Sequence, residues 1–130
     1  MILCDTDILI EFYKNSADIL QELQIIGQKN LAVSAITQAE LFFGSLNKAE
    51  LQRIRIHLQS ISCLPVDTMT SDTFLKLMET YSLSHKLGIP DAIIAATAII
   101  HHLPLYTLNI KHFQFISEVE LYQSSITSTS

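Results

Sequence analysis

At 130 residues the chain has the length of one domain, which excludes a two-lobed enzyme. Hydrophobic residues at 48%, charged residues at 16%, three glycines and three prolines exclude disordered, collagen-like and coiled-coil classes and leave ample material for a buried core. Eight Lys+Arg against thirteen Asp+Glu give a formal charge of −5, which argues against a large surface that tracks phosphates.

Met1 to Cys4 is a short apolar run stopped by Asp5-Thr6-Asp7, the pattern of a buried strand whose carboxyl end opens into a helix N-terminus. A helix is expected over Ile8 to Lys14. A second starts at Ser16, repeats Ile19, Leu20, Leu23 and Ile26 at helical spacing, and ends near Gly27. Leu31 to Val33 reads as a second strand, followed by a helix capped by Ser34 that runs through Phe43 to Gly44. Asn47 followed by Glu50 is a capping pattern for a helix with Leu51, Ile54 and Leu58 on one face. Leu64 to Val66 is expected as a third strand, restricted by Pro65.

Thr70 to Leu87 carries Phe74, Leu77, Met78 and Tyr81 at helical spacing and is expected to close at Gly88. Pro90 then opens an alanine-rich helix over Asp91 to His101. Leu105 to Thr107 is a fourth strand, and the Ser/Thr-rich tail from Ser124 is expected to fray, leaving residues 1–123 as the domain. Strands separated by helices predict an α/β fold, a parallel sheet of four to five strands sandwiched by helices. Cys4 and Cys63 are too few for a disulfide framework and are expected to be buried thiols. The N-terminus shows no basic targeting stretch. The longest apolar run, residues 92–100, is half a membrane span. The expectation is a soluble cytoplasmic protein with no membrane partner.

Ligands of an open parallel sheet gather at the carboxyl ends of its strands. Four residues fall there: Asp5 after the first strand, Glu40 in the helix after the second, Asp91 at the start of the alanine-rich helix and Asn109 after the fourth strand. Asp5 and Asp91 could each be a cap or a dipole partner, and Glu40 could sit on a solvated helix edge. A metal site accounts for all four together, because converging carboxylates stay ionised only beside a cation, and Mg²⁺ or Mn²⁺ takes oxygen ligands.

At these residues the chain resembles a known family. Asp5-Thr6-Asp7-Ile8-Leu9-Ile10, the segment Ser34 to Gly44 around Glu40, the run Asp91 to Ala96, and Thr107-Leu108-Asn109 with Phe113 are similar to PIN-domain ribonucleases of the VapC toxin type, over residues 1 to about 116. The resemblance implies a PIN fold, an acidic pocket that binds Mg²⁺ and cleaves RNA, a cognate antitoxin that blocks the pocket, and a homodimer. It matches Asp5 and Asp91 to metal ligands, Glu40 to the second acidic position and Asn109 to a fourth position. Asp7 stands where relatives often have Asn or Ser; it is expected to cap the first helix, the other option being a fifth oxygen donor. His112 stands where an acidic residue is common.

The implied reaction is metal-assisted hydrolysis of a phosphodiester, with a metal-bound water attacking in line. Setting Asp5, Glu40 and Asp91 aside leaves ten acids against eight bases, so the surface outside the pocket is nearly neutral. Lys14 and Lys111 are candidate phosphate contacts. Phe12-Tyr13 and Phe42-Phe43 either line a groove for an apolar antitoxin helix or belong to the core.

Three rival readings fit the residues less well. A haloacid-dehalogenase-like phosphatase also opens on Asp-x-Asp with a nucleophilic first Asp, but Leu9 replaces a small residue and no later Gly-Asp-Asp-like cluster follows. A zinc hydrolase finds no His pair at i, i+4 joined to a Glu among His57, His85, His101, His102 and His112. An inactive PIN-like binding module is disfavoured by the intact Asp5, Glu40 and Asp91.

Overall fold

The strands follow the short apolar runs, and each is too short to stand without neighbours on both faces. In the computed structural model, which describes residues 1–124, β1 (Ile2–Cys4), β2 (Leu31–Ser34), β3 (Ser62–Leu64) and β4 (Leu105–Tyr106) form one parallel sheet in the order β3-β2-β1-β4. Helices α1 (Thr6–Tyr13), α2 (Ala17–Ile26), α3 (Ala35–Phe43), α4 (Lys48–Leu58), α5 (Thr68–His85) and α6 (Ile89–His101) connect the strands in pairs.

Period-two alternation divides the interior into two layers. Leu3, Ala32 and Leu105 face a core shared with α5 and α6. Cys4, Leu31, Val33 and Tyr106 face the core built on α1, α2 and α4. The alanines of α6 are the closest-packed stripe: Ala92, Ala95, Ala96 and Ala98 are all buried, and with no bulk beyond Cβ they let α6 lie along α5 and against β2.

Several boundaries differ from the sequence reading for identifiable reasons. The third strand occupies residues 62–64 and stops before Pro65, which has no N–H to give a ladder. That shift leaves Cys63 exposed on an edge strand, contrary to the expected burial, whereas Cys4 is buried as expected. Helix α5 starts earlier, with the Asp67 carboxylate accepting from the Thr70 N–H at 2.9 Å. It ends at His85 with Lys86 in the left-handed region at φ 54°. The turn assigned to glycine is therefore made by lysine, and Gly88 instead precedes α6 in extended conformation. Helix α1 starts at Thr6, capped by Asp5. The caps at Ser34 and Asn47 are present as read, accepting from the N–H groups of Ile36 and Glu50.

Beyond the single turn at Ile110–His112 the chain returns to the free edge of β4. The Leu105 N–H donates to Glu120 O and the Tyr122 N–H to Leu105 O, both at 2.8 Å, a parallel bridge that extends the four strands by one short contact. The Tyr122 hydroxyl donates to the carboxylate of Glu22, which is fully buried in α2. Ser124, where the tail was expected to begin, is 4% exposed; residues 125–130, the rest of that expected tail, lie outside the described residues. Tyr122→Phe removes one donor from a buried carboxylate and is expected to lower the unfolding free energy by about 1–3 kcal/mol. The measurement is the urea midpoint at constant slope; an unmoved midpoint would mean that the returning segment does not latch the sheet edge.

Candidate active site

Strands β1, β2 and β3 advance in one direction and β4 then joins the other side of β1. The strand order reverses between β1 and β4, and the crevice outside the carboxyl ends at such a reversal is where open α/β sheets bind ligands. Asp5 follows β1 there, and Thr107 to Asn109 follow β4.

Asp5 is the centre of the arrangement. Only 4% exposed, it caps α1, with Oδ1 accepting from the Thr6 N–H at 2.7 Å and Oδ2 from the Thr107 hydroxyl at 2.7 Å. Burial first, and the nearby charge of Asp7 second, push its carboxyl up to about 7; the two hydrogen bonds oppose that rise and Asp91 adds to it. Asp7 is likewise raised, chiefly by burial and also by Asp91, against hydrogen bonds from the Leu108 N–H and the Thr107 hydroxyl. Three carboxylates thus feel one another across the crevice. The adjacent Cys4 thiol, buried beneath Asp5 and Asp7, is pushed up to about 12 and stays protonated.

Asp7 does not cap the helix as expected, because Asp5 already does. Its Oδ2 instead accepts from the Leu108 N–H at 3.0 Å and from the Asn109 side-chain amide at 2.9 Å, which ties α1 to the loop after β4. Its Oδ1 is buried with no hydrogen-bond partner. Thr107, 6% exposed, also accepts from the Asn109 N–H at 3.0 Å.

Glu40, half-buried on α3, is joined to this centre through Thr6, whose hydroxyl donates to Oε1 at 2.7 Å. Asp91, in the first turn of α6, has His112 Nδ1 3.0 Å from its Oδ2. The structure therefore gathers Asp5, Asp7 and Asn109 by direct or shared hydrogen bonds, brings Glu40 in through Thr6, and sets Asp91 within electrostatic reach. Thr6 and Thr107 join the site although neither is among the site residues expected from the sequence. The available signal was their position as the hydroxyl residues at the carboxyl ends of β1 and β4.

As they stand, no three Asp, Glu, His or Cys side chains among the described residues are gathered to hold one metal ion. Of the three candidate carboxylates, Glu40 is bonded to the Thr6 hydroxyl and Asp91 to His112. The donor set nevertheless fits a hard divalent cation: it is all oxygen, its carboxylates repel one another, and Asp7 contributes a buried oxygen without a partner. It does not suit zinc, since the histidines are dispersed, His57 beside Tyr13, His85 on Phe115, and His112 alone by the site.

A groove of about 770 Å³ between α1, α3 and α4 reaches Glu40. Phe12 and Tyr13 line it together with His57, which stacks on Phe12 at 4.8 Å and hydrogen-bonds the Tyr13 hydroxyl at 2.8 Å. Lys14 is in its wall, while Lys111 is exposed in the turn after Asn109. Phe42 packs partly against the core, whereas Phe43 and Leu46 are 94% and 86% exposed.

Residues 2–115 match the family described as the PIN domain. The chain belongs to the PIN-domain family. Within it the likeness is to the VapC type. This PIN domain is 31% identical over 123 residues to Ribonuclease VapC10 of Mycobacterium tuberculosis, covering 92% of this chain and 91% of that one. It is 32% identical over 124 residues to Ribonuclease VapC1 of Methanocaldococcus jannaschii, at 92% and 84% coverage. A toxin-antitoxin complex from Klebsiella pneumoniae superposes with a TM-score of 0.79 at 33% identity, over 92% of this chain and 95% of that one. VapBC2 of Rickettsia felis, solved with a DNA fragment from its promoter, gives 0.79 at 27% identity over 94% and 98%. The PIN domain's sheet of parallel strands between helices agrees with the expected architecture, and the haloacid-dehalogenase alternative falls with it. No helix of the described residues is long and apolar enough to cross a membrane.

Proposed function

We propose that this chain is the ribonuclease toxin of a toxin-antitoxin pair and that it hydrolyses RNA at the crevice between β1 and β4 with a Mg²⁺ or Mn²⁺ ion. The observation that carries the reading is the set of mutually repelling carboxylates Asp5, Asp7 and Asp91 at the strand-order reversal, with Asp5 raised to about 7. Asp5 and Asp91 would hold the ion directly, Glu40 directly or through a water, and Asn109 through its amide oxygen. When bound, the ion supplies charge neutralisation at the scissile phosphate and an acidified water. Thr107 and the Thr6 N–H fix the direction of the Asp5 carboxylate. Asp7 holds the loop of Leu108 and Asn109 against α1, and Asn109 is linked to Asp5 through the shared Thr107 hydroxyl. Lys14, in the wall of the neighbouring groove, and Lys111, exposed in the turn after Asn109, would meet flanking phosphates.

The complexes among the solved relatives support a cognate antitoxin as partner. Its apolar segment would lie in the groove lined by Phe12 and Tyr13, which leads to Glu40. The chain would act in the cytoplasm, as a homodimer. Purified protein freed of inhibitor is expected to cut cellular RNA and to stop on addition of EDTA, with Mn²⁺ restoring cleavage. Expression of the chain alone should arrest growth, and co-expression of a small adjacent partner should relieve it. Cleavage undiminished by EDTA sinks the metal mechanism; unimpeded growth with abundant folded protein favours the inactive module.

A further inference from the structure

Thr6 sits between two aspartates and its hydroxyl serves neither of them. It lies 2.7 Å from Glu40 Oε1 and 3.0 Å from the Thr37 hydroxyl. A hydroxyl has one proton to give and two lone pairs to accept with. The shorter contact, to a carboxylate oxygen that can only accept when ionised, takes the Thr6 proton, so Thr37 donates to Thr6. The result is a directed chain, Thr37 to Thr6 to Glu40, that crosses from α3 to α1 and back to α3. Thr37 is fully buried and one helical turn before Glu40, so the two lie on the same face of α3.

Glu40 needs such a tether. Without a bond its three side-chain torsions would leave the carboxylate free to turn on a half-buried helix face that also lines the groove between α1, α3 and α4. Thr6, by contrast, is stiff: its backbone N–H is bound to Asp5, it occupies the first turn of α1, and its branched Cβ restricts χ1. Its hydroxyl takes Oε1 of Glu40 and makes no bond to Oε2.

We propose that Thr6 is a positioning residue that fixes the Glu40 carboxylate at the N-terminal end of α1, where Asp5 lies. This rests on the metal-dependent nuclease reading above. Thr6→Val keeps the shape and the branched Cβ but deletes the proton donor, and Thr6→Ser keeps the donor. Two readouts are compared: Mn²⁺ affinity by calorimetry on RNA-free protein, and kcat and KM for a defined RNA. Thr6→Val is expected to bind Mn²⁺ about tenfold more weakly and to lose about tenfold in kcat with KM within about twofold, while Thr6→Ser stays near the parent. Placed on Glu40→Gln, Thr6→Val should add nothing, because it acts through Glu40. Melting in EDTA checks that each variant folds, and Thr6→Ala supplies the same deletion if the valine methyl is rejected. Parental Mn²⁺ affinity and kcat in the deletion variant, or a full additional loss on the Glu40→Gln background, overturns the role of Thr6 alone. A parent protein that neither binds Mn²⁺ nor cuts RNA overturns the nuclease reading itself.

Discussion

Asp91→Asn is expected to fold as the parent does and to lose RNA cleavage on the order of 100-fold or more. Asp91 is in the first turn of α6, after Pro90, but it is not the capping residue; Gly88 holds that place and makes no side-chain bond. As a structural element it therefore offers a charge near the helix dipole and a partly exposed contact with His112. Each is worth no more than about 1 kcal/mol. Asn retains the size and a hydrogen-bonding oxygen, so the melting temperature in EDTA should stay within a few degrees of the parent. What Asn cannot retain is the negative charge that a divalent cation requires. The added stability that Mn²⁺ gives the parent should accordingly shrink in the variant. If cleavage stays near the parental rate, Asp91 is a helix-end charge only and the assigned site is wrong.

The strands and most helices were legible because their signals are local. Leu3 and Cys4 face opposite cores, as period-two alternation requires, and the spacing of Ile19, Leu23 and Ile26 marks α2 without reference to anything distant. The end of α5 differs from the expectation of a glycine turn because Lys86, an exposed residue, takes the left-handed conformation there, its N–H bonded to Tyr81 O. Asp5, Glu40, Asp91 and Asn109 could be named from strand ends and from the family resemblance. How they are held could not. Asp7 reaches a loop 101 and 102 residues away, Thr107 reaches Asp5 across 102, and Thr6 reaches Glu40 across 34. Those pairings follow from β1 lying between β2 and β4, and no pattern in the first seven residues encodes which strand arrives beside them.

Asp5→Asn should make the metal-free protein more stable at neutral pH while abolishing cleavage. An unfolded Asp5 gives up its proton near pH 4, but in the fold burial and the charge of Asp7 hold it until about 7. Between those values the folded state binds the extra proton, so this residue's contribution to stability falls as pH rises from about 4 to about 7 and is level above. The loss is at most about 4 kcal/mol, three pH units of proton affinity. Asn carries no such penalty. It also caps a helix as well as Asp does, and the Thr107 hydroxyl, released from the carboxylate, has Asp7 Oδ2 at 3.5 Å as a second acceptor. In EDTA, subtracting the variant's stability from the parent's should give a curve that declines between pH 4 and 7. Saturating Mn²⁺ at neutral pH should close that gap, since the cation stabilises the charged parent by about 4.1 kcal/mol at a thousandfold excess over Kd and finds a weaker site in the variant. A flat difference curve would mean that Asp5 is not strained in the free protein, and the idea that folding stability is given up here to keep an ionisable carboxylate for the cation would be wrong.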